Sequence, residues 1–270
     1  MGLSIIFWRN RMFMCSRRPN GTHSGVVWTN ALLDNFGAGH WTLTIDADEQ
    51  LIYPHYEQIP LPGFCDYLNS IGAEAVPCLL SDMYSDATVE ATAHDPERSL
   101  LETCGYFDRA PYRMQRVSQA PYLEIYGGMR ERLFRQIQTE NHAPTVSKAP
   151  LVKWKAGTQF LQSTHFLTAV KVVPMLAVLL HSKFLSDFHE RAEVEVARGE
   201  HFANAREYRA YLQMLRGNRE ATFLCHHSVK FKDSAQLVEL GLMATSKATK
   251  PSSGIKARLR PLGGHSNSTD

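Results

Sequence analysis

The segment WTLTIDADEQLIYP, residues 41–54, runs from an apolar, β-branched stretch directly into three carboxylates within four residues. The residues at 41–45 predict a buried strand, and Asp46, Asp48 and Glu49 follow at its carboxyl end. Carboxylates this close together resist joint ionisation unless a cation or water offsets their charge. The segment therefore predicts a core strand with a charged site at its end.

Composition limits the class of protein. A chain of 270 residues that is 44% hydrophobic can bury a substantial core as one domain with appendages. A net charge of +2 gives no sign of wholesale nucleic-acid binding or of a membrane-hugging surface. Five scattered cysteines without a CxxC pair predict reduced thiols. Lys171 and Pro174 interrupt the apolar stretch at 166–185, which is then too short to span a bilayer, so we expect a cytoplasmic protein.

The chain divides into three predicted parts. Residues 1–21 have no stable period and are predicted to be poorly ordered, residues 22–245 form the domain, and the Ser-, Lys- and Gly-rich stretch 246–270 is predicted to be a disordered tail. Loops are expected to dominate between 93 and 128. Helices are predicted at 22–35, 64–73, from 185 onward and at 204–216, and strands at 41–45, 74–84, 151–166 and 174–184.

Asp46 and Asp48 are the candidate metal ligands. Alternation along an extended chain would place both side chains on one side. Mg²⁺ or Mn²⁺ is typically held by one or two carboxylates, with phosphate oxygens of a substrate completing the shell. Ligands of open α/β sheets also bind at the carboxyl ends of strands. The motif thus indicates a metal-bound phosphate substrate, and for so short a pattern the alternative is a solvated acidic loop.

Two other acidic motifs fit less well. An EF-hand loop that starts at Asp46 would have Leu51 where glycine is required, and would contain Pro54. A phosphatase of the haloacid dehalogenase type also begins with a strand and DxD. Its second acidic pair would here be Asp82 and Asp86, which follow too soon to leave room for the intervening core. We therefore exclude the first motif and disfavour the second.

HWTLTIDADEQLIYP resembles the strand and metal motif of inverting glycosyltransferases of family two, which have the GT-A fold. The resemblance implies an α/β protein, with an incomplete GT-A (Rossmann-like) mixed sheet and a helical C-terminal region. It also implies a nucleotide-sugar donor whose diphosphate is bound through Mn²⁺ or Mg²⁺. The likeness covers about residues 22–240 and continues in SDMYSD, GYFDRAPY, YGGMRERLF, KAPLVKW, STHF and LLHSKFLSDFHERAEVE.

The resemblance assigns roles to individual residues. Asp46 and Asp48 match the metal-binding DxD motif, and a histidine nearer the C-terminus often completes such a site. His181 matches this histidine best and His165 is the second choice. For either histidine, a hydrogen-bonded structural role is an equally weighted alternative.

An inverting transferase also needs a carboxylate that takes the proton of the acceptor hydroxyl. Asp82, Asp108 and Glu131 are the candidates, and the sequence does not choose among them. Glu131 is equally well explained as a first-turn helix charge. Arg130 and Arg132 are candidate phosphate contacts, with solvated helix charges as the alternative.

The chain departs from the family pattern before the metal motif. In that family the strands that hold the base and ribose come first, whereas only 45 residues precede Asp46 here. We therefore expect the N-terminal nucleotide-binding half to be lacking. The predicted function is a metal-dependent glycosyltransferase, or an inactive remnant of one, with an unknown sugar, lipid or protein acceptor. The alternative is a non-catalytic pseudoenzyme or interaction protein that keeps the transferase core.

Overall fold

The structure, a computed structural model, describes residues 5–6, 25–116, 123–136, 143–161, 163–168, 170–172, 174–199, 202–217 and 222–245. The predicted N-terminal segment, apart from the strand at Ile5–Ile6, and the predicted tail lie outside these ranges. The strands are β1 (Ile5–Ile6), β2 (Trp41–Ile45), β3 (Glu49–Ile52), β4 (Ala75–Asp82), β5 (Tyr106–Asp108), β6 (Tyr112–Arg116), β7 (Leu123–Gly127), β8 (Ser147–Lys153), β9 (Ala177–His181) and β10 (Ser228–Lys230). The helices are α1 (Val26–Phe36), α2 (Leu61–Ser70), α3 (Leu100–Thr103), α4 (Gly128–Gln136), α5 (Phe188–Arg198), α6 (Phe202–Gly217) and α7 (Ser234–Glu239).

A mixed sheet with the strand order β1-β2-β8-β4-β9-β3 forms the centre of the protein. Only β4 and β9 run parallel, and the other neighbours in this sheet are antiparallel. Two small two-stranded sheets, β10-β5 and β6-β7, lie outside it. The predicted mixed α/β class is confirmed. No helix in the described ranges is long and apolar enough to cross a membrane.

The central strand β4 is buried along almost its whole length, as expected for a strand covered on both faces. Its register with β8 shifts between Val76 and Cys78. Pro77 lies at this irregularity, where the missing N–H of proline removes no regular ladder bond. The carboxyl end of β4 is buried, and Asp82 lies at that end.

The connection between β2 and β3 requires the sheet to curl. Three strands lie between them in the sheet, which corresponds to a flat separation of about 19 Å. Only residues 46–48 join Ile45 to Glu49, and four residues of extended chain span at most about 14 Å. The two sides of the sheet must therefore approach each other, and the short turn crosses over one end of the strands between them.

The prediction for residues 93–128 was wrong. This region contains α3 and the strands β5, β6 and β7, of which the last two form a hairpin. Exposed side chains such as Arg113 and Met114 interrupt any apolar pattern, so composition suggested a loop. The predicted helices at 22–35, 64–73 and 204–216, and the helix expected from 185 onward, correspond to α1, α2, α6 and α5 with shifted ends.

Candidate functional site

The strand directions bring Asp46, Asp48 and His181 to one end of the sheet, and a hydrogen bond to Ser147 at the start of β8 places His165 there as well. The carboxyl ends of β2, β4 and β9 meet the amino ends of β8 and β3 there. The 46–48 turn lies at this end and is fixed by a hydrogen bond from the Ser182 N–H to the Asp48 carbonyl oxygen, at 2.8 Å. Asp46 and Asp48 thus belong to a turn that crosses the sheet end, so the extended-chain alternation that predicted their side chains on one side does not apply.

The three carboxylates of the acidic cluster point in different directions. The Asp46 N–H donates to Glu49 Oε2 at 2.9 Å, and the Glu49 N–H donates to the Asp46 carbonyl oxygen at 3.1 Å. Only 1% of the Glu49 side chain is exposed, against 41% for Asp46 and 28% for Asp48. Glu49 therefore faces the interior while the other two carboxylates reach solvent.

Lys148 of β8 offsets part of this charge. Its Nζ lies 2.7 and 2.9 Å from the two Glu49 oxygens and 3.3 Å from Asp46 Oδ2, and its side chain is fully buried. Burial opposes the charge of Lys148, but Asp46 and Glu49 raise its pKa above the usual value. Burial also opposes ionisation of Asp46, yet the charge of Lys148 holds its pKa below the usual value. The pKa of Glu49 is raised, because burial outweighs the attraction to Lys148.

His181, the last residue of β9, connects two carboxylates. Its Nδ1 lies 3.0 Å from Asp82 Oδ1, and its Nε2 lies 3.7 Å from Asp48 Oδ2. Arg130 Nη2 and Nε donate to Asp82 at 2.7 and 3.0 Å. Burial opposes ionisation of Asp82, but the charge of Arg130 and the hydrogen bond from His181 hold its pKa far below the usual value.

The ionised state of Asp82 fixes the tautomer of His181. A carboxylate can only accept hydrogen bonds, so His181 Nδ1 must carry the proton that lies between them. The ring then directs Nε2 toward Asp48 Oδ2, at 3.7 Å, where a proton or a cation between the two atoms would attract both. Histidines that bind metal ions are commonly held in this way, with the other ring N–H donated to a carboxylate.

The two groups of ion pairs at the sheet end contain more carboxylates than lysine and arginine side chains. Without counting the histidines, five carboxylates face three cationic side chains: two carboxylates lie around Lys148, and three around Arg130 and Lys183. The carboxylates are Asp46, Asp48, Glu49, Asp82 and Glu207, and the cations are Lys148, Arg130 and Lys183.

The donor set fits a divalent cation that the protein holds incompletely. In the described ranges, no three His, Cys, Asp or Glu side chains already form a metal-binding group. Two ligands that each lie about 2.1 Å from one ion can be up to about 4.2 Å apart. The 3.7 Å between Asp48 Oδ2 and His181 Nε2 satisfies this limit. Mg²⁺ and Mn²⁺ accept such a partial site, because water and phosphate oxygens supply the other ligands.

His165 is held by the backbone. Its Nδ1 lies 2.9 Å from the carbonyl oxygen of Ser147, which makes this nitrogen the donor. Burial first, and then the charge of Lys148, lower the pKa of His165 to about 4. This arrangement agrees with the hydrogen-bonded role considered above, and the metal-ligand role of His165 stays a prediction.

Asp108 and Arg132 form a separate ion pair. Arg132 donates to the two carboxylate oxygens of Asp108 at 3.1 and 3.2 Å, and the Tyr84 hydroxyl donates to the same carboxylate. Arg132 also donates to the Phe223 carbonyl oxygen at 2.8 Å. Asp108 is buried, so its charge is compensated inside the protein.

The third candidate base lies on the outer side of α4. Glu131 accepts hydrogen bonds from Arg113 and, at 2.6 Å, from Arg135. Each of the three candidate bases is thus engaged by at least one arginine. Their roles in proton transfer, and the phosphate contacts of Arg130 and Arg132, remain predictions.

Comparisons with protein-family models, with curated proteins and with solved structures give no match for this chain. The geometry and charge of the sheet-end site are therefore the basis for a functional proposal. The sequence alone missed Lys148, because its partners Asp46 and Glu49 lie 102 and 99 residues away along the chain.

Proposed function

We propose that the 46–48 turn binds a divalent cation together with the diphosphate of a nucleotide-sugar, and that the protein is a metal-dependent glycosyltransferase of the GT-A type. One observation carries the proposal. Asp46 and Asp48 are partly exposed members of two neighbouring ion-pair groups, each with more carboxylates than lysine and arginine side chains, and His181 Nε2 lies 3.7 Å from Asp48. The sequence resemblance of residues 41–54 to the metal motif of these transferases also supports this assignment. The acceptor is an unknown sugar, lipid or protein.

The protein residues have distinct tasks in this proposal. Asp48 and His181 hold the cation, and Asp46 contributes charge through its exposed oxygen. Asp82 and Arg130 lie behind His181 and fix its orientation. The bound Mn²⁺ or Mg²⁺ supplies positive charge that stabilises a leaving diphosphate. Because Arg130 is buried against Asp82, this positive charge does not come from Arg130.

A second candidate function is nucleotide-sugar binding without transfer. An inverting transferase needs a carboxylate that can accept the proton of the acceptor hydroxyl. Asp82, Asp108 and Glu131 are each ion-paired with arginine, and arginine partners hold the pKa of Asp82 and Glu131 below the usual values against the effect of burial. This observation favours a non-catalytic protein that keeps the metal site.

Calorimetry and thermal unfolding with Mn²⁺, with and without a panel of nucleoside diphosphates, test the proposal. We expect weak Mn²⁺ binding that is strengthened by a diphosphate, because phosphate oxygens supply the missing ligands. The variants Asp46→Ala and Asp48→Ala should bind Mn²⁺ more weakly than the parent. Asp66 is an exposed carboxylate on α2, so Asp66→Ala should bind Mn²⁺ as the parent does. Equal Mn²⁺ affinity in all four proteins would refute the site. Release of nucleoside diphosphate from nucleotide-sugars then separates the transferase from the binding protein.

A further inference from the structure

Lys148 contacts two of the three carboxylates of the acidic cluster, and the two contacts are unequal. Its Nζ contacts both oxygens of Glu49, at 2.7 and 2.9 Å, but only one oxygen of Asp46, at 3.3 Å. The lysine side chain is fully buried, so it cannot reach a phosphate group in solvent. Glu49 therefore draws the ammonium inward, and Asp46 keeps an oxygen that faces outward.

We infer that Lys148 and Glu49 form an internal counter-ion pair that sets how tightly the 46–48 turn binds its cation. This inference rests on the proposed function and names two residues that set the affinity of the turn for its cation. Lys148 weakens cation binding by its positive charge. Glu49 strengthens binding, because it offsets that charge and keeps the ammonium from pairing with Asp46 alone. Both are positioning residues that act through Asp46.

The electrostatic effect is large enough to measure. For a divalent ion about 6 Å from an ammonium group, even a water-like dielectric corresponds to about a tenfold change in affinity when the ammonium is removed. Loss of the Glu49 charge changes the local charge by the same amount in the opposite direction. The two single variants should therefore move the Mn²⁺ affinity in opposite directions.

Calorimetry with Mn²⁺ alone tests the inference on the full chain. We expect Lys148→Met to bind Mn²⁺ on the order of tenfold more tightly and Glu49→Gln to bind it on the order of tenfold more weakly. The double variant should return close to the parent, because it removes one charge of each sign. Lys153→Met is the matched control, since Lys153 lies on the same strand but donates to Asn69.

Thermal unfolding with and without Mn²⁺ supplies a second measurement. Lys148→Met leaves Glu49 buried without its counter-ion, so the metal-free variant should be less stable and should gain more from Mn²⁺ than the parent does. If this variant does not fold, weaker binding by Glu49→Gln together with parent-like binding by the double variant supports the inference.

Two results would overturn it. If the parent binds Mn²⁺ through Asp48 but Glu49→Gln and Lys148→Met move the affinity in the same direction or leave it unchanged, the counter-ion role is wrong and the metal site stands. If neither the parent nor Lys148→Met binds Mn²⁺, the proposed function fails and the inference fails with it.

Discussion

Replacement of Arg130 by methionine should destabilise the protein strongly. Arg130 on α4 and Asp82 at the end of β4 have only 3% and 2% of their side chains exposed, and they form two hydrogen bonds of 2.7 and 3.0 Å. Arg130 also donates to the Thr145 carbonyl oxygen at 3.3 Å and lies 3.9 Å from Glu207. Methionine keeps much of the side-chain volume but leaves the Asp82 carboxylate buried without its main counter-ion.

The expected loss is about 3–5 kcal/mol of unfolding free energy, as is typical when one partner of a buried ion pair is removed. The double variant Asp82→Asn, Arg130→Met leaves neither of the two charges buried, so it should lose less than Arg130→Met alone. Arg135→Met is the matched control on the same helix. Arg135 is 73% exposed and pairs with Glu131, so its loss should be below about 1 kcal/mol.

Urea unfolding followed by tryptophan fluorescence measures these differences, because Trp154 is fully buried and reports on the core. If Arg130→Met loses no more unfolding free energy than Arg135→Met does, the interpretation of Asp82 as an ionised carboxylate held by Arg130 is refuted. A double variant less stable than Arg130→Met alone would also contradict it. Either result would remove the reason for placing the proton of His181 on Nδ1.

Three further predictions concern single residues. His181→Ala should weaken diphosphate-linked Mn²⁺ binding in calorimetry more than His165→Ala does, and the reverse order would exchange their roles. The pKa of His165 is lowered to about 4, so the unfolded chain takes up its proton first and stability should fall as the pH drops from about 6.5 toward 4. His165→Gln should flatten this part of the curve in urea unfolding at several pH values, and an unchanged slope would contradict the assignment. Gly127→Ala places a Cβ 2.2 Å from a backbone oxygen at φ 135°, and should cost at least about 2 kcal/mol in the same assay. Gly39→Ala, at φ 83° with open space around it, should cost only about 1–2 kcal/mol, and equal losses would contradict the steric argument.

Local patterns predicted much of the scaffold. The apolar run at 41–45 and the run at 74–84 correspond to β2 and β4, because buried strands need consecutive apolar and β-branched residues. The periodicity at 204–216 likewise corresponds to α6. The prediction that Asp46 and Asp48 follow a strand at its carboxyl end is confirmed, although the residues form a turn.

The partners within the site could not be predicted from the sequence. Lys148 meets Glu49 across 99 residues, and Arg130 meets Asp82 across 48. A single lysine in a strand or a single arginine in a helix carries no local signal of its partner. The charge balance of the site therefore depends on strand order, which brings these residues together only in the folded chain.

The three-residue crossing from β2 to β3 also links ligand occupancy to the shape of the whole sheet. Residues 46–48 join β2 directly to β3, although three strands lie between these two in the sheet. The sheet therefore cannot flatten while this turn keeps its conformation. A cation that bridges Asp48 to His181 would hold the 46–48 turn more firmly against the end of β9. Its binding energy would then add to the free energy that opposes opening of the sheet. Amide hydrogen exchange in β2 and β3 should consequently slow together when the site is filled, although the two strands share no hydrogen bond in the sheet.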